Sequence, residues 1–239
     1  MCVNYTPSRK DQISATFEAI DETGIDWRPE VWQDYEAPFI NHDHLRQRRV
    51  QVGSYGMIPK SKMPLGTKRF STMNARVETV SQLRSFARAW QQGQRCLIPL
   101  HSFFEPNYEQ GRAERWEIGL HEQDNFAVAG LFRLWDEVPG STSFSFTQLT
   151  INADQHPLLN RFHKPGEEKR SLAILRPEDY QAWLESEDLE YVRQLLRLPQ
   201  AEQCWAKPAA LAQTQRGRQP PNKADELAII AKAKQLALF

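Results

Sequence analysis

Strand-like segments follow one another along this chain with too few helices between them to make parallel crossovers. That ordering limits the possible folds more than any other feature. Arg49 to Ile58 reads as a strand, and Cys96–Leu100, Arg115–Leu120, Asn125–Phe132, Ser143–Ile151 and Ser171–Leu175 follow it. A parallel sheet needs a crossover, usually a helix, between successive strands. Strands in runs instead predict an α+β fold with a mostly antiparallel sheet or an open barrel at its core, flanked by helices. Four helices are expected. Lys10–Ile20 places Ile13, Phe17 and Ile20 at helical spacing, and Ser81–Trp90 does the same with Leu83, Phe86 and Trp90. Pro177 opens a third with Glu178 and Asp179 in its first turn, and Asp188–Leu196 is the fourth. Asp26–Pro38 reads as irregular, Pro59–Gly66 as a polar loop, and Gly53 and Gly56 as bulges or points of close backbone approach.

The chain has 239 residues, 40% apolar and 25% charged, enough for a large domain with its own core. Thirty basic residues balance thirty acidic ones, so a nucleic-acid partner would have to be held by a local basic patch. Three cysteines, Cys2, Cys96 and Cys204, argue against a disulfide framework and for a reducing compartment. With no apolar leader and no 18-residue apolar run, a cytoplasmic, soluble monomer without membrane contact is expected. After Trp205 the composition shifts to Pro, Gln, Ala and Arg. Residues 1–205 are therefore read as one domain, 206–222 as a linker, and 223–239 as a helix-prone end segment.

Cys2 is the residue with the most distinctive chemistry. If Met1 is removed, its α-amine and thiol become neighbours on one residue. Such a 1,2-aminothiol condenses with an aldehyde to an imine and then closes to a thiazolidine. Unperturbed pKa values of about 7.7–8.0 for the amine and about 8.5 for the thiol leave both usable near neutrality. Taken alone, Cys2 reads as an ordinary cysteine near a chain end. Other candidates are weaker. His42-Asp43-His44 has no further ligands at metal-site spacing, Cys96 lies in an apolar strand, and Ser54 and Ser102 lack a nucleophile-elbow context. No metal and no cofactor is expected.

Four segments carry the remaining candidates. They are Met1-Cys2-Val3-Asn4-Tyr5, Met73-Asn74-Ala75-Arg76-Val77-Glu78-Thr79, Arg95–Leu100 followed by His101-Ser102-Phe103-Phe104-Glu105, and Leu149–Ala153 leading to Arg161-Phe162-His163-Lys164-Pro165-Gly166-Glu167-Glu168-Lys169-Arg170. Each is weak alone. Together, in this order and with cysteine at position 2, they resemble the SOS response-associated peptidase (SRAP) family, which crosslinks to abasic sites in single-stranded DNA. The resemblance covers roughly Met1 to Trp205. It implies catalytic roles for Cys2, Asn74, Glu105 and His163. Asn74 orients the cysteine and the sugar. Glu105 shuttles protons, and an apolar setting beside Phe103 and Phe104 would raise its pKa. His163 assists ring opening of the sugar. DNA contacts are expected from Asn4, Arg76, Lys164, Lys169 and Arg170. Arg76 falls on the Asn74 side of an extended segment, and Glu78 on the same side is expected to hold it.

This sequence departs from the family pattern in places. Asn4 stands where many relatives have arginine, and Lys60-Ser61-Lys62 lacks an aromatic pair. Pro106 follows Glu105, and the turn after His163 is longer. These departures leave the grip on DNA open. The end Gln235-Leu236-Ala237-Leu238-Phe239 resembles a peptide that docks on the replication sliding clamp, with Gln235, Leu236, Leu238 and Phe239 as its anchors, or else an amphipathic helix packing on its own domain. The resemblance implies a protein that shields abasic lesions near the nucleoid. A cysteine hydrolase with Cys2 as acyl nucleophile and a non-covalent single-stranded DNA scaffold are the alternatives.

Overall fold

A computed structural model describes residues 2–210. In chain order the elements are β1 (Asn4–Pro7), α1 (Lys10–Phe17), β2 (Val31–Trp32), β3 (Glu36–His42), β4 (Arg48–Tyr55), β5 (Asn74–Arg76), α2 (Ala87–Gln91), β6 (Arg95–Asn107), β7 (Glu114–Leu120), β8 (Phe126–Asp136), β9 (Thr142–Asn152), β10 (Arg170–Leu172), β11 (Ile174–Leu175), α3 (Tyr180–Glu185), α4 (Leu189–Leu195) and β12 (Cys204–Pro208). Strands β8, β9, β4, β3 and β6 pair in that order, and β6 pairs back onto β8, so the five close into a barrel. A ring with an odd number of strands cannot alternate direction all the way round. The unavoidable parallel junction is β4 on β9, through Ser54↔Ser145 and Tyr55↔Phe146. The chains come very close there. A Cβ on Gly53 would lie 2.9 Å from the Phe144 carbonyl oxygen, which is the close approach expected at that glycine.

Alternation along the barrel strands divides the apolar residues into two cores. Phe39, Tyr55, Ile98, Phe126, Val128 and Phe146 fill the interior. Ile40, Val50, Leu97, Ala127, Ala129 and Leu149 face outward against Ile13 and Phe17 of α1, Trp90 of α2, Trp183 and Leu184 of α3, and Val192 and Leu195 of α4. The Trp183 indole donates to the Cys96 carbonyl at 2.9 Å and so ties α3 to the barrel wall. α4 begins where expected, with the Asp188 carboxylate capping Glu190 N at 2.9 Å and Tyr191 N at 3.1 Å.

Two helices are shorter than their periodicity predicted. α1 ends because Glu18 takes a left-handed φ of 50°. Ile20 instead bridges Arg49, donating to Arg48 O and accepting from Val50 N, both at 2.9 Å. Before α2 the chain runs in turns and leaves Leu83 about half exposed. The stretch expected to be irregular holds β2 and the start of β3, where Ala37, Phe39 and Ile40 are fully buried. Pro38 within β3 hides that strand from a sequence reading, since proline is rare inside sheets. At the other end, β12 pairs with β7 from Cys204↔Leu120 to Pro208↔Trp116, past the composition change at Trp205. Cys2, Cys96 and Cys204 are all free and buried. Among the described residues no helix is long and apolar enough to cross a membrane.

Candidate active site

β6 is 13 residues long, and its two halves do different jobs. Arg95–Leu100 pairs with β8 in the barrel wall. Beyond it, Ser102–Phe104 pair with β1, and Phe103–Asn107 pair with β7. β1 enters this sheet with Asn4 opposite Phe104 and Tyr5 opposite Phe103. That register draws the residues before β1 into the protein, and Cys2 is 1% exposed.

The Cys2 backbone and side chain are both held. Asn74, on β5, donates from Nδ2 to the Cys2 carbonyl at 2.6 Å. The Tyr55 hydroxyl lies 3.4 Å from the same oxygen and 2.7 Å from Gln148 Oε1. Gln148 is in turn the β9 partner of Asn74. The Cys2 thiol donates to Asn4 O at 3.3 Å. Burial pushes its pKa well above the ordinary thiol value, and the nearby Glu105 charge pushes it further. The thiol is therefore protonated at neutral pH. Asn74 Oδ1 is buried and has no hydrogen-bond partner among the described residues.

Glu105 is 3% exposed on β6 and accepts from His163 Nε2 at 2.8 Å. The histidine is fixed by its backbone. Phe162 bridges Asn107, and His163 N donates to Pro106 O at 2.8 Å. His163 also takes a left-handed φ of 66°, a conformation that costs a non-glycine residue about 1 kcal/mol or more. Its Nδ1 accepts from Arg170 N at 3.2 Å, so the ring proton of the neutral form sits on Nε2 and points at Glu105. The structure thus brings Cys2, Asn74, Glu105 and His163 together from four separate stretches of chain.

The residues expected to contact DNA separate into two groups. Asn4 and Arg170 are buried and bonded inside the protein. Asn4 Nδ2 donates to Glu30 Oε1 at 2.6 Å, and Arg115, stacked 3.4 Å over the Phe104 ring, donates to that same oxygen at 2.7 Å. Arg170 donates to Glu168 at 2.5 Å, to Glu78 at 2.7 Å and to the Thr150 carbonyl at 2.7 Å. Glu78 thus holds Arg170, not Arg76 as the spacing predicted. Arg76 is half exposed and pairs with Glu168 at 2.6 Å. Lys164 is exposed, while Lys169 Nζ caps the carbonyls of His163 at 3.1 Å and Lys164 at 3.0 Å.

Sequence reasoning missed Tyr55, Gln148, Glu30, Arg115 and Glu168. All five have partners distant in sequence; Gln148 stands one residue before the Leu149–Ala153 segment and Glu168 inside the Arg161–Arg170 segment, and neither had been given a role. His42-Asp43-His44 is a turn, with Asp43 Oδ1 accepting from Leu45 N at 2.8 Å and Gln47 N at 3.0 Å. Among the described residues no group of three or more His, Cys, Asp or Glu is placed to hold a metal ion. Gln235, Leu236, Leu238 and Phe239 lie outside the described residues.

A closed mixed barrel whose buried polar cluster gathers around the start of its own chain marks out a narrow class of α+β proteins. Within that class the sequence settles the family: residues 1–211 match the model of the SOS response associated peptidase (SRAP) family, and the chain belongs to it. A protein from Bordetella bronchiseptica has a similar structure, with a TM-score of 0.77 and 29% identity over 88% of this chain and all of that one. A protein from Bacteroides thetaiotaomicron shares the fold at a TM-score of 0.71 and 21% identity, over 87% and 92% of the two chains. Abasic site processing protein YobE of Bacillus subtilis is 29% identical over 130 residues, 53% of this chain and 56% of that protein. Abasic site processing protein YoqW of the same organism is 29% identical over 131 residues, 54% and 55% of the two. The chain thus spans about half the length of these curated relatives.

Proposed function

We propose that this protein captures abasic sites in single-stranded DNA as a covalent adduct of Cys2. Removal of Met1 frees the Cys2 α-amine. The amine adds to the aldehyde of the ring-opened sugar, water leaves, and an imine forms. The thiol then adds to the imine carbon. A C–S bond forms, the C=N π bond breaks, and the thiol proton ends on nitrogen. The product is a thiazolidine, and water is the only group lost.

What carries this reading is the hydrogen bond from Asn74 to the Cys2 carbonyl beside the buried Glu105–His163 pair. A gripped carbonyl fixes the direction of the amine on the same residue, which lowers the entropic cost of attack. Glu105 is the group to take a proton from the attacking amine and return it to the departing hydroxyl. His163, whose Nε2–H faces Glu105, is suited to assist opening of the sugar ring. For DNA, Arg76 and Lys164 are the cations offered to phosphates, and Asn4, Lys169 and Arg170 support the site from within.

The test uses protein shown by mass spectrometry to lack Met1, mixed with an oligonucleotide bearing one abasic site. A heat-stable shifted band on a denaturing gel is expected, and it should vanish in Cys2→Ser and after acetylation of the amino terminus. A band that persists in Cys2→Ser overturns the proposal.

A further inference from the structure

Of the two arginines beside the site, Arg76 is the one exposed enough to meet a DNA phosphate, yet its Nη1 is occupied by Glu168 Oε2 at 2.6 Å. The other oxygen of that carboxylate, Oε1, accepts from Arg170 Nη1 at 2.5 Å and from Asn152 Nδ2 at 3.1 Å. Two guanidiniums and an amide converging on one carboxylate make the donor set that also holds a phosphodiester. Asn152 and the two arginines hold the Glu168 carboxyl below the usual carboxylate range, so it is anionic at neutral pH. The charges also balance: Arg76 and Arg170 face Glu168 and Glu78, so the cluster is neutral before any ligand arrives.

The members differ in how freely they can move. Arg170 is 2% exposed and stays bonded to Glu78 and the Thr150 carbonyl without Glu168. The loop carrying Glu168 is fixed on both sides, by Lys169 Nζ on the Lys164 carbonyl and by Lys169 N on Asp154 Oδ1 at 2.8 Å. The Glu168 side chain is about one-third exposed and has solvent to turn into. A rotamer change alone removes it.

We propose that Glu168 occupies the seat of a DNA phosphate between Arg76 and Arg170, and that binding exchanges this carboxylate for a phosphodiester. The exchange keeps the cluster neutral. It sets a threshold against strands that cannot place a phosphate at that point, which makes Glu168 a determinant of specificity. The inference rests on the DNA-binding reading above.

The test is fluorescence anisotropy with an undamaged single-stranded oligonucleotide, titrated across salt concentrations. Glu168→Gln keeps the shape and removes the charge. It should bind roughly fivefold tighter at 0.1 M salt, the scale of one partly exposed ion pair. Its log–log salt slope should steepen by about 0.7, the increment for one phosphate on a single strand. Glu167→Gln, on the same exposed loop, should leave both unchanged. In an Arg76→Ala background most of the gain from Glu168→Gln should disappear. Equal or weaker binding by Glu168→Gln, the same gain in Glu167→Gln, or a gain that survives Arg76→Ala intact each overturns the exchange. If wild-type protein neither binds this strand nor crosslinks an abasic one, the functional reading fails instead.

Discussion

The two halves of β6 set a barrel wall beside the candidate site on one continuous strand. From Cys96 to Leu100 the side chains are apolar and buried, and they need no polar partners. From Ser102 to Asn107 the strand buries three polar groups. Ser102 Oγ donates to Glu117 at 2.7 Å, Glu105 accepts from His163, and Asn107 donates to the Arg161 carbonyl at 3.3 Å. Buried polar groups cost free energy unless they are satisfied. The first half therefore supplies stability, and under the proposed function the second half gives some of it up for chemistry. The left-handed backbone of His163 falls at the second half as well.

Substitutions on the two halves should then move different quantities. The largest effect is expected from Glu105→Gln, which keeps the size of the side chain but cannot carry a proton between groups. Loss of a general acid–base group typically slows its step about 10²–10⁴-fold. Crosslinking followed by quenched-flow gels should show that slowing with the melting curve nearly unchanged, whereas a rate within threefold of wild type would remove Glu105 from the chemistry. Next comes Leu97→Ala in the wall. Truncating a fully buried leucine costs about 2–5 kcal/mol in chemical unfolding, while the crosslinking rate per folded molecule should hold. Parallel losses in both would mean that the halves are not separable.

A third effect is a pH dependence that comes from the buried thiols. Burial raises the thiols of Cys2 and Cys96, and that of Cys204 to about 11. Above about pH 9 the unfolded chain releases thiol protons that the native state keeps. The unfolded state then binds fewer protons, so stability falls as pH rises, by up to about 1.4 kcal/mol per pH unit for each thiol. The thiol contribution is fully present below about pH 8 and is lost progressively between about pH 9 and the folded-state values. Melting temperatures that stay flat from pH 8 to 10 would contradict it. In Glu105→Gln the alkylation of Cys2 should shift to lower pH while that of Cys96 stays put, because Glu105 raises only the first.

The sequence was most legible where period and chemistry are local. The barrel strands β4, β8 and β9, and β7 outside the barrel, follow from apolar runs, and the start of α4 from its Asp188 cap. Closure of the barrel was not readable, because the pairing of Arg95–Leu100 with Phe126–Leu131 is a property of register rather than composition. β1, β2, β5 and β12 are two to five residues long, too short to show a period. The site residues Cys2, Asn74, Glu105 and His163 were found through a joint resemblance of four segments. Tyr55 and Gln148 beside Cys2 and Asn74, and Glu30 and Glu168 beside Asn4 and Arg76, were not, since nothing local marks a contact that spans dozens of positions. The Glu78–Arg76 pairing failed for a related reason: alternation places two side chains on one side but does not say which cation a flexible carboxylate reaches.

Because β6 runs without a break from the wall into the candidate site, no hinge among the described residues separates those two parts. Under the proposed function the deformation therefore falls on the nucleic acid, whose backbone must swing the damaged sugar out to reach a receptor already set in shape. A strand stiffened by pairing on both sides of the lesion would be a poor guest for mechanical reasons alone.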